Sequence, residues 1–233
     1  MSKKNTIYLA VRAGFANRLR ALVSGICLAE DLGKKLVVVW DKEPSCGIGA
    51  EIFEKGSFPY FVTFQNIPIK GFKYIEHLTD INPNDTQFVS YAEFHRSDPE
   101  RWTAHLRNIV FKVKSPICNA IGVHIRRTDN AACIRLAPLD YFIESMKKEG
   151  DTNFYLATDC VKTKAIVLDI FGANIITNNF VLHRDTEIGM INAIYDFVSL
   201  SQCKKIIGSN ASSFSELAAR YGGVELIMNL HIS

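Results

Sequence analysis

No apolar stretch in this chain of 233 residues reaches the ~18 that a membrane span needs. The apolar run at residues 7–11 is strand-length, so the basic start reads as no secretory leader. The six cysteines (Cys27, Cys46, Cys118, Cys133, Cys160, Cys203) form no C-x-x-C pair and no metal-ligand spacing. That removes a zinc module and a disulfide framework. Several lie in apolar runs, as Cys27 does, and read as buried free thiols in a reducing, cytoplasmic compartment. No block of one charge stands out. The 27 basic and 24 acidic residues are mixed and leave a net +3, too mild for a nucleic-acid surface but compatible with a local pocket for a small anion. No carboxylate cluster resembles a magnesium or zinc site, and no metal is expected. The G-x-G-x-x-G spacing of NAD-type domains is missing too. Heptads, repeats and low-complexity segments are likewise missing.

What remains is ordinary globular material, 48% hydrophobic and 22% charged, long enough for one large domain or two small ones. Residues 7–12 read as a strand that runs through A-G-F-A-N into a helix ending at Leu32. Leu19, Leu22, Val23, Ile26 and Ala29 supply its buried stripe, Asn17 a candidate N-cap and Gly33 a left-handed C-cap. L-V-V-V-W at residues 36–40 follows as a buried parallel strand. Between residues 41 and 70 the pattern weakens into loops, with a short helix near 50–54 and a strand at 60–64; a strand at 86–91 and a helix at 101–111 follow. Ser115-Pro116 is the best junction, giving domains 1–115 and 116–233. Beyond it strands and helices alternate regularly, with strands at 121–126, 154–158, 174–177, 205–208 and 224–228, and helices at 138–148, 161–171, 189–201 and 213–221. That is an α/β class with two Rossmann-like domains and parallel sheets facing a cleft between them.

The stretch A-I-G-V-H-I-R-R-T-D-N, residues 120–130, is central. An apolar strand that delivers His124 and Arg126 to its carboxyl end is where open α/β sheets bind ligands. Three other places put polar groups on the same edge: residues 14–18, Thr158-Asp159, and G-S-N-A-S-S at 208–213. Structural readings compete at each. Arg127 and Asp129 can form a salt bridge, Asn17 can be only a cap, and Thr158-Asp159 can cap the next helix. Ser213 with Glu216 spells a capping box. His124 can be a core histidine, and Asp196, set in an apolar helix, needs a partner or solvent. Together the features suit a phosphate-containing ligand: Arg126 offers a fork of donors, and the helix at Ser213 offers backbone N–H groups.

G-V-H-I-R-R-T-D at residues 122–129 resembles the H-x-R-R-x-D motif of the α-1,6-fucosyltransferases. Y-L-A-T-D at 155–159 is similar to their second motif, and D-F-V-S-L-S-Q at 196–202 with S-N-A-S-S-F-S at 209–215 to their third. G-F-A-N-R-L-R-A-L at 14–22 resembles the N-terminal loop shared with protein O-fucosyltransferases. The resemblance implies a GT-B fold with an acceptor-side domain followed by a donor-side domain. It also implies inverting, metal-independent transfer of a sugar, L-fucose by expectation, from a GDP-sugar to a glycan or glycoconjugate. Carried over, Arg126 is catalytic, binding the β-phosphate. His124 and Asp196 lie at the guanosine, Ser212 or Ser213 binds phosphate, Asn17 approaches the diphosphate, and Asp159 of the second motif joins the donor site. Gly14, Arg18, Arg127 and Asp129 are further candidates. The family's Lys and Glu downstream of the first motif are Asn130 and Ile134 here, and its second aspartate is Cys160. No acceptor-activating base is therefore carried over. A non-catalytic nucleotide- or glycan-binding relative, or a transferase using another nucleotide sugar, is the alternative.

Overall fold

A computed structural model describes residues 5–82, 84–115, 119–179 and 183–230. It divides into two compact units, Met1–Lys112 with His183–Ile191, and Val113–Leu182 with Asn192–Ser233. Pro116 of the expected junction lies outside the described residues, as does Cys118.

The first unit is built on a parallel sheet of β1 (Thr6–Val11), β2 (Lys35–Val39), β3 (Val62–Phe64), β4 (Lys73–Tyr74) and β5 (Gln87–Ser90), in the order β3-β2-β1-β5-β4. α1 (Phe15–Asp31) connects β1 to β2 and buries the predicted stripe. It ends where expected: Gly33 takes φ +60°, and its N–H and that of Lys34 return to the carbonyls of Glu30 and Ala29. Asn17 is not its cap. Gly14 holds that position, without a side-chain bond, and Asn17 lies inside the first turn. α2 (Pro99–Arg107), capped by Asp98, packs on α1 through buried Trp102, whose indole N–H donates to Ser24 Oγ at 3.2 Å.

Residues 41–70 lack periodicity because aromatic packing, not a repeating element, holds them. Phe53 lies 5.2 Å from Trp40, 5.7 Å from Phe64 and 5.7 Å from Phe111 by ring centroids. The helical piece there is one 3₁₀ turn, Ala50–Ile52, and the two-residue β4 is too short to read from sequence.

The second unit has β6 (Ile121–Ile125), β7 (Phe154–Thr158), β8 (Ile175–Ile176), β9 (Lys205–Ile207) and β10 (Glu225–Ile227), all parallel, in the order β10-β9-β6-β7-β8. Counted from β6 this is the doubly wound 3-2-1-4-5 order, whose direction reverses between β6 and β9. Helices α3 (Ala131–Leu136), α4 (Leu139–Lys148), α5 (Val161–Phe171) and α7 (Ser213–Gly222) complete it, together with α6 (Glu187–Ser201) from Asn192 onward. Short α3 has no counterpart in the sequence pattern.

Ile121, Val123 and Ile125 face a core with Phe142, Met146 and Val167 on one side of β6. Fully burying side chains of this size contributes roughly 1.5–3 kcal/mol each. Gly122 points to the other side, where a Cβ would come within 2.9 Å of Leu200 on α6. That side also receives His124. Cys27, Cys46, Cys133 and Cys203 are buried free thiols, and burial pushes Cys27 up to about 12. Among the described residues no helix is long and apolar enough to cross a membrane.

Candidate functional site

In a doubly wound sheet the ligand crevice opens at the carboxyl edge, where the strand order reverses. In the second unit that point is the pair of loops after β6 and β9, and they are stitched together. Ser209 Oγ donates to the carbonyl of His124 at 3.0 Å and accepts from the N–H of Arg126 at 3.0 Å. Asn130 caps α3 through Cys133 N at 3.1 Å and donates to the carbonyl of Ala211 at 3.3 Å. Asp159, after β7, fastens the same loop from the other side. It accepts from Arg127 N at 2.7 Å and from the Thr128 hydroxyl at 2.7 Å. Asp159 therefore neither caps α5, whose N-cap is Cys160, nor projects free: it positions the loop that carries Arg126.

Arg126 ion-pairs with Asp129. The expected Arg127–Asp129 pair is not formed. Arg127 turns to the core side, where it donates to the carbonyl of Ala137 at 2.8 Å and stacks 5.5 Å from the Phe142 ring. Strand alternation puts it there, and burial lowers its pKa. Among the described residues the Arg126 Nε has no partner, and neither does the buried Nδ1 of His124 two residues earlier. The His124 ring packs on Phe214 at 4.9 Å, and burial pulls its pKa down to about 4, so it is neutral at pH 7. Two unsatisfied polar atoms on one strand end are a place where a ligand completes the hydrogen bonding.

α7 starts beside them. Its N-cap is Ser212, which makes no side-chain cap bond, and Ser213 is the first helical residue. The capping box is not made, because Glu216 pairs with Arg220 at 3.8 Å along the helix. The first-turn N–H groups of α7 thus have no side-chain cap in competition with an anion. Ala211, just before, holds φ +58°.

Asp196 lies one strand further, at a cavity of about 250 Å³ lined by Leu156, Thr158, Val161, Lys164, Asn178 and Asp196 among others. It finds the partner its apolar surroundings demand. Oδ1 accepts from the Tyr155 hydroxyl at 2.7 Å and from Asn178 at 3.3 Å. Burial nonetheless raises its pKa to about 6.

In the first unit, the loop after β1 carries Ala13 at φ +68° and Gly14 ahead of α1. Asn17 Oδ1 accepts from Arg20 at 2.6 Å. Arg18 is fully buried and committed to its own unit: it donates to the carbonyls of Ala13 at 2.8 Å and Asp41 at 2.6 Å, and to Glu43 at 2.8 Å. It pins the loop. Of the expected residues, then, His124, Arg126, Asp129 and Asp159 are linked by one set of contacts, with Ser212 and Ser213 at the start of α7. Asp196 has its own cavity, and Gly14, Asn17 and Arg18 belong to the first unit. Ser209, Tyr155 and Asn178 went unrecognised as site residues; two of them stand inside motifs already noted, and Asn178 directly follows the strand read at 174–177, with no motif to single it out.

No protein-family model matches the chain, and no curated protein matches it. Solved structures do. Fucosyltransferase NodZ from Bradyrhizobium superposes with a TM-score of 0.63 at 16% identity, over 93% of this chain and 93% of that one. POFUT1 in complex with GDP gives 0.57 at 10%, over 99% and 100%. A mutant of Arabidopsis thaliana FUT1 in complex with GDP gives 0.63 at 12%, over 96% and 70%. The fold is that of these fucosyltransferases. It is the GT-B arrangement of two Rossmann-like parallel sheets, as the motif resemblance implied.

Proposed function

We propose that the protein is a glycosyltransferase that moves a sugar, L-fucose in the first reading, from a GDP-sugar to a glycan or glycoconjugate, with inversion and without a metal. The observation that carries this reading is the open carboxyl edge between β6 and β9. Unsatisfied Arg126 Nε and His124 Nδ1 stand there beside the uncapped start of α7. A diphosphate leaving group develops negative charge as the glycosidic bond breaks. A fixed guanidinium and a helix N-terminus place positive potential where that charge appears, the task a cation performs in other transferases. Arg126 takes the β-phosphate, Ser212 and Ser213 the phosphate oxygens, and neutral His124 and ionised Asp196 the nucleoside. The fucosyltransferases of the same fold, solved with GDP or GDP-fucose, make the guanosine donor the first to test.

The test is a panel of nucleotide sugars incubated with the protein, reading release of free nucleoside diphosphate with and without EDTA. GDP release from GDP-fucose that EDTA leaves unchanged is the expected result. Release only from another donor replaces the sugar or base, and loss of turnover in EDTA overturns the metal-free mechanism. Tight GDP binding with no turnover from any donor identifies a binding protein instead.

A further inference from the structure

The carboxylate of Asp196 presents its two oxygens unequally. Oδ1 is saturated, with the Tyr155 hydroxyl at 2.7 Å and the Asn178 amide at 3.3 Å, whereas Oδ2 has no partner among the described residues. The two donors are themselves joined, Asn178 Nδ2 to the Tyr155 oxygen at 2.6 Å. Tyr155 is buried on β7, so its hydroxyl position is set by the sheet. Asn178 is held in turn by Lys164 of α5, whose ammonium donates to the Asn178 carbonyl and to Asn179 Oδ1 at 3.2 Å. Three elements thus converge on one carboxylate at a cavity edge.

We infer that Tyr155 and Asn178 are positioning residues for base selection. They clamp Asp196 in a single orientation and leave Oδ2 as the acceptor offered to the heterocycle. This rests on the GDP-sugar reading above. An acceptor fixed in that way suits a purine whose edge carries N–H donors, as guanine does at N1 and N2. It repels adenine, which turns the N1 lone pair to the same side. Without the clamp the carboxylate must be ordered at the moment of binding, and part of the discrimination is lost. A network with no task in recognition would satisfy both carboxylate oxygens, whereas this one satisfies Oδ1 alone in a side chain that lines the cavity.

The experiment measures GDP and ADP affinities by calorimetry, with Tm alongside, for wild type, Asp196→Asn, Tyr155→Phe and Asn178→Ala. Loss of a charged hydrogen bond to the base weakens GDP by about a hundredfold in Asp196→Asn, and loss of the clamp by about tenfold in the other two, with ADP nearly unchanged. The GDP:ADP ratio is the readout that a merely structural role would not move. Asn178→Ala, at a half-buried loop position, keeps the test alive should Tyr155→Phe fold poorly. If Asp196→Asn loses GDP while both clamp variants retain it, the base reading stands and the positioning role is overturned. If Asp196→Asn binds GDP as wild type does, base recognition at this cavity fails, and the clamp with it.

Discussion

Arg126 is the residue on which turnover should depend most. Removing one preorganised donor from a developing oxyanion costs about 10²–10³ in kcat, and Arg126→Ala should fall in that range. Single-turnover rates on folded variant protein check it; a rate near wild type sinks the role. Two buried groups on the His124 side of the sheet make stability respond to pH in opposite directions. His124 titrates near 4 in the fold against 6.5 unfolded, so its contribution is full above 6.5 and is lost as pH falls toward 4. Asp196 titrates near 6 against 3.8, so the folded state takes up its proton first and gains stability as pH falls through that window. Each effect is worth about 3 kcal/mol, and in the wild type they oppose. Asp196→Asn removes the compensating half. Its Tm should drop more steeply than that of wild type between pH 6.5 and 4, and parallel Tm–pH curves would contradict the assignment. Backbone strain supplies a third test. Ala211 sits at φ +58° in the loop before α7, a conformation a Cβ disfavours. Ala211→Gly should gain about 0.5–1 kcal/mol and raise Tm by about 1–4 °C, read by calorimetry.

At the scale of elements, α7 is stabilised less than its composition allows. S-x-x-E promised a capping box, yet Ser212 makes no cap bond and Glu216 pairs forward with Arg220. A helix start left open is what a phosphate needs. Ser212→Asp should therefore separate stability from function. The new carboxylate caps the N–H groups and complements the helix dipole, adding about 1 kcal/mol. The same charge repels the diphosphate, and GDP binding should weaken by at least about tenfold. Urea unfolding and GDP titration on one preparation read both, and unchanged GDP affinity would move the phosphate away from α7. The β6–α3 loop shows the complementary arrangement. There Asp159, Ser209 and Asn130 spend their hydrogen bonds on the loop itself, so that Arg126 is aimed by neighbours rather than by its own strand.

For the molecule as a whole, ligand linkage is the most general check. A ligand that binds only the folded state at about a hundred times its Kd stabilises it by about 2.7 kcal/mol, which corresponds to a Tm rise of about 5–10 °C. GDP should produce that rise and ADP should not. Equal shifts from both would remove base selection, and no shift from either would remove the nucleotide.

Much of this molecule was legible in the chain of letters. Hydrophobic pattern alone places α1 and β7, because their burial is a local property that a single stripe or apolar run records. The same logic put His124 and Arg126 at a strand end, since alternation and a charged terminus need no tertiary knowledge. Partner choice lay beyond it. Arg127 and Asp129 are two residues apart and look like a pair, yet Arg127 turns to Phe142, and Asp129, beyond the end of the strand, pairs with Arg126. Residues 41–70 have no period because scattered aromatic rings hold them. Asp196 was legible as a carboxylate in need of a partner and as a motif residue, but not its partners; Tyr155 and Asn178, far off in sequence, answer that need and leave one oxygen open. Sequence by itself determined the elements and the residue types delivered to the sheet edge, since those follow from short-range sterics and burial. Which groups those residues touch, and which of their atoms stay unsatisfied, was decided by strand order, which no local pattern encodes.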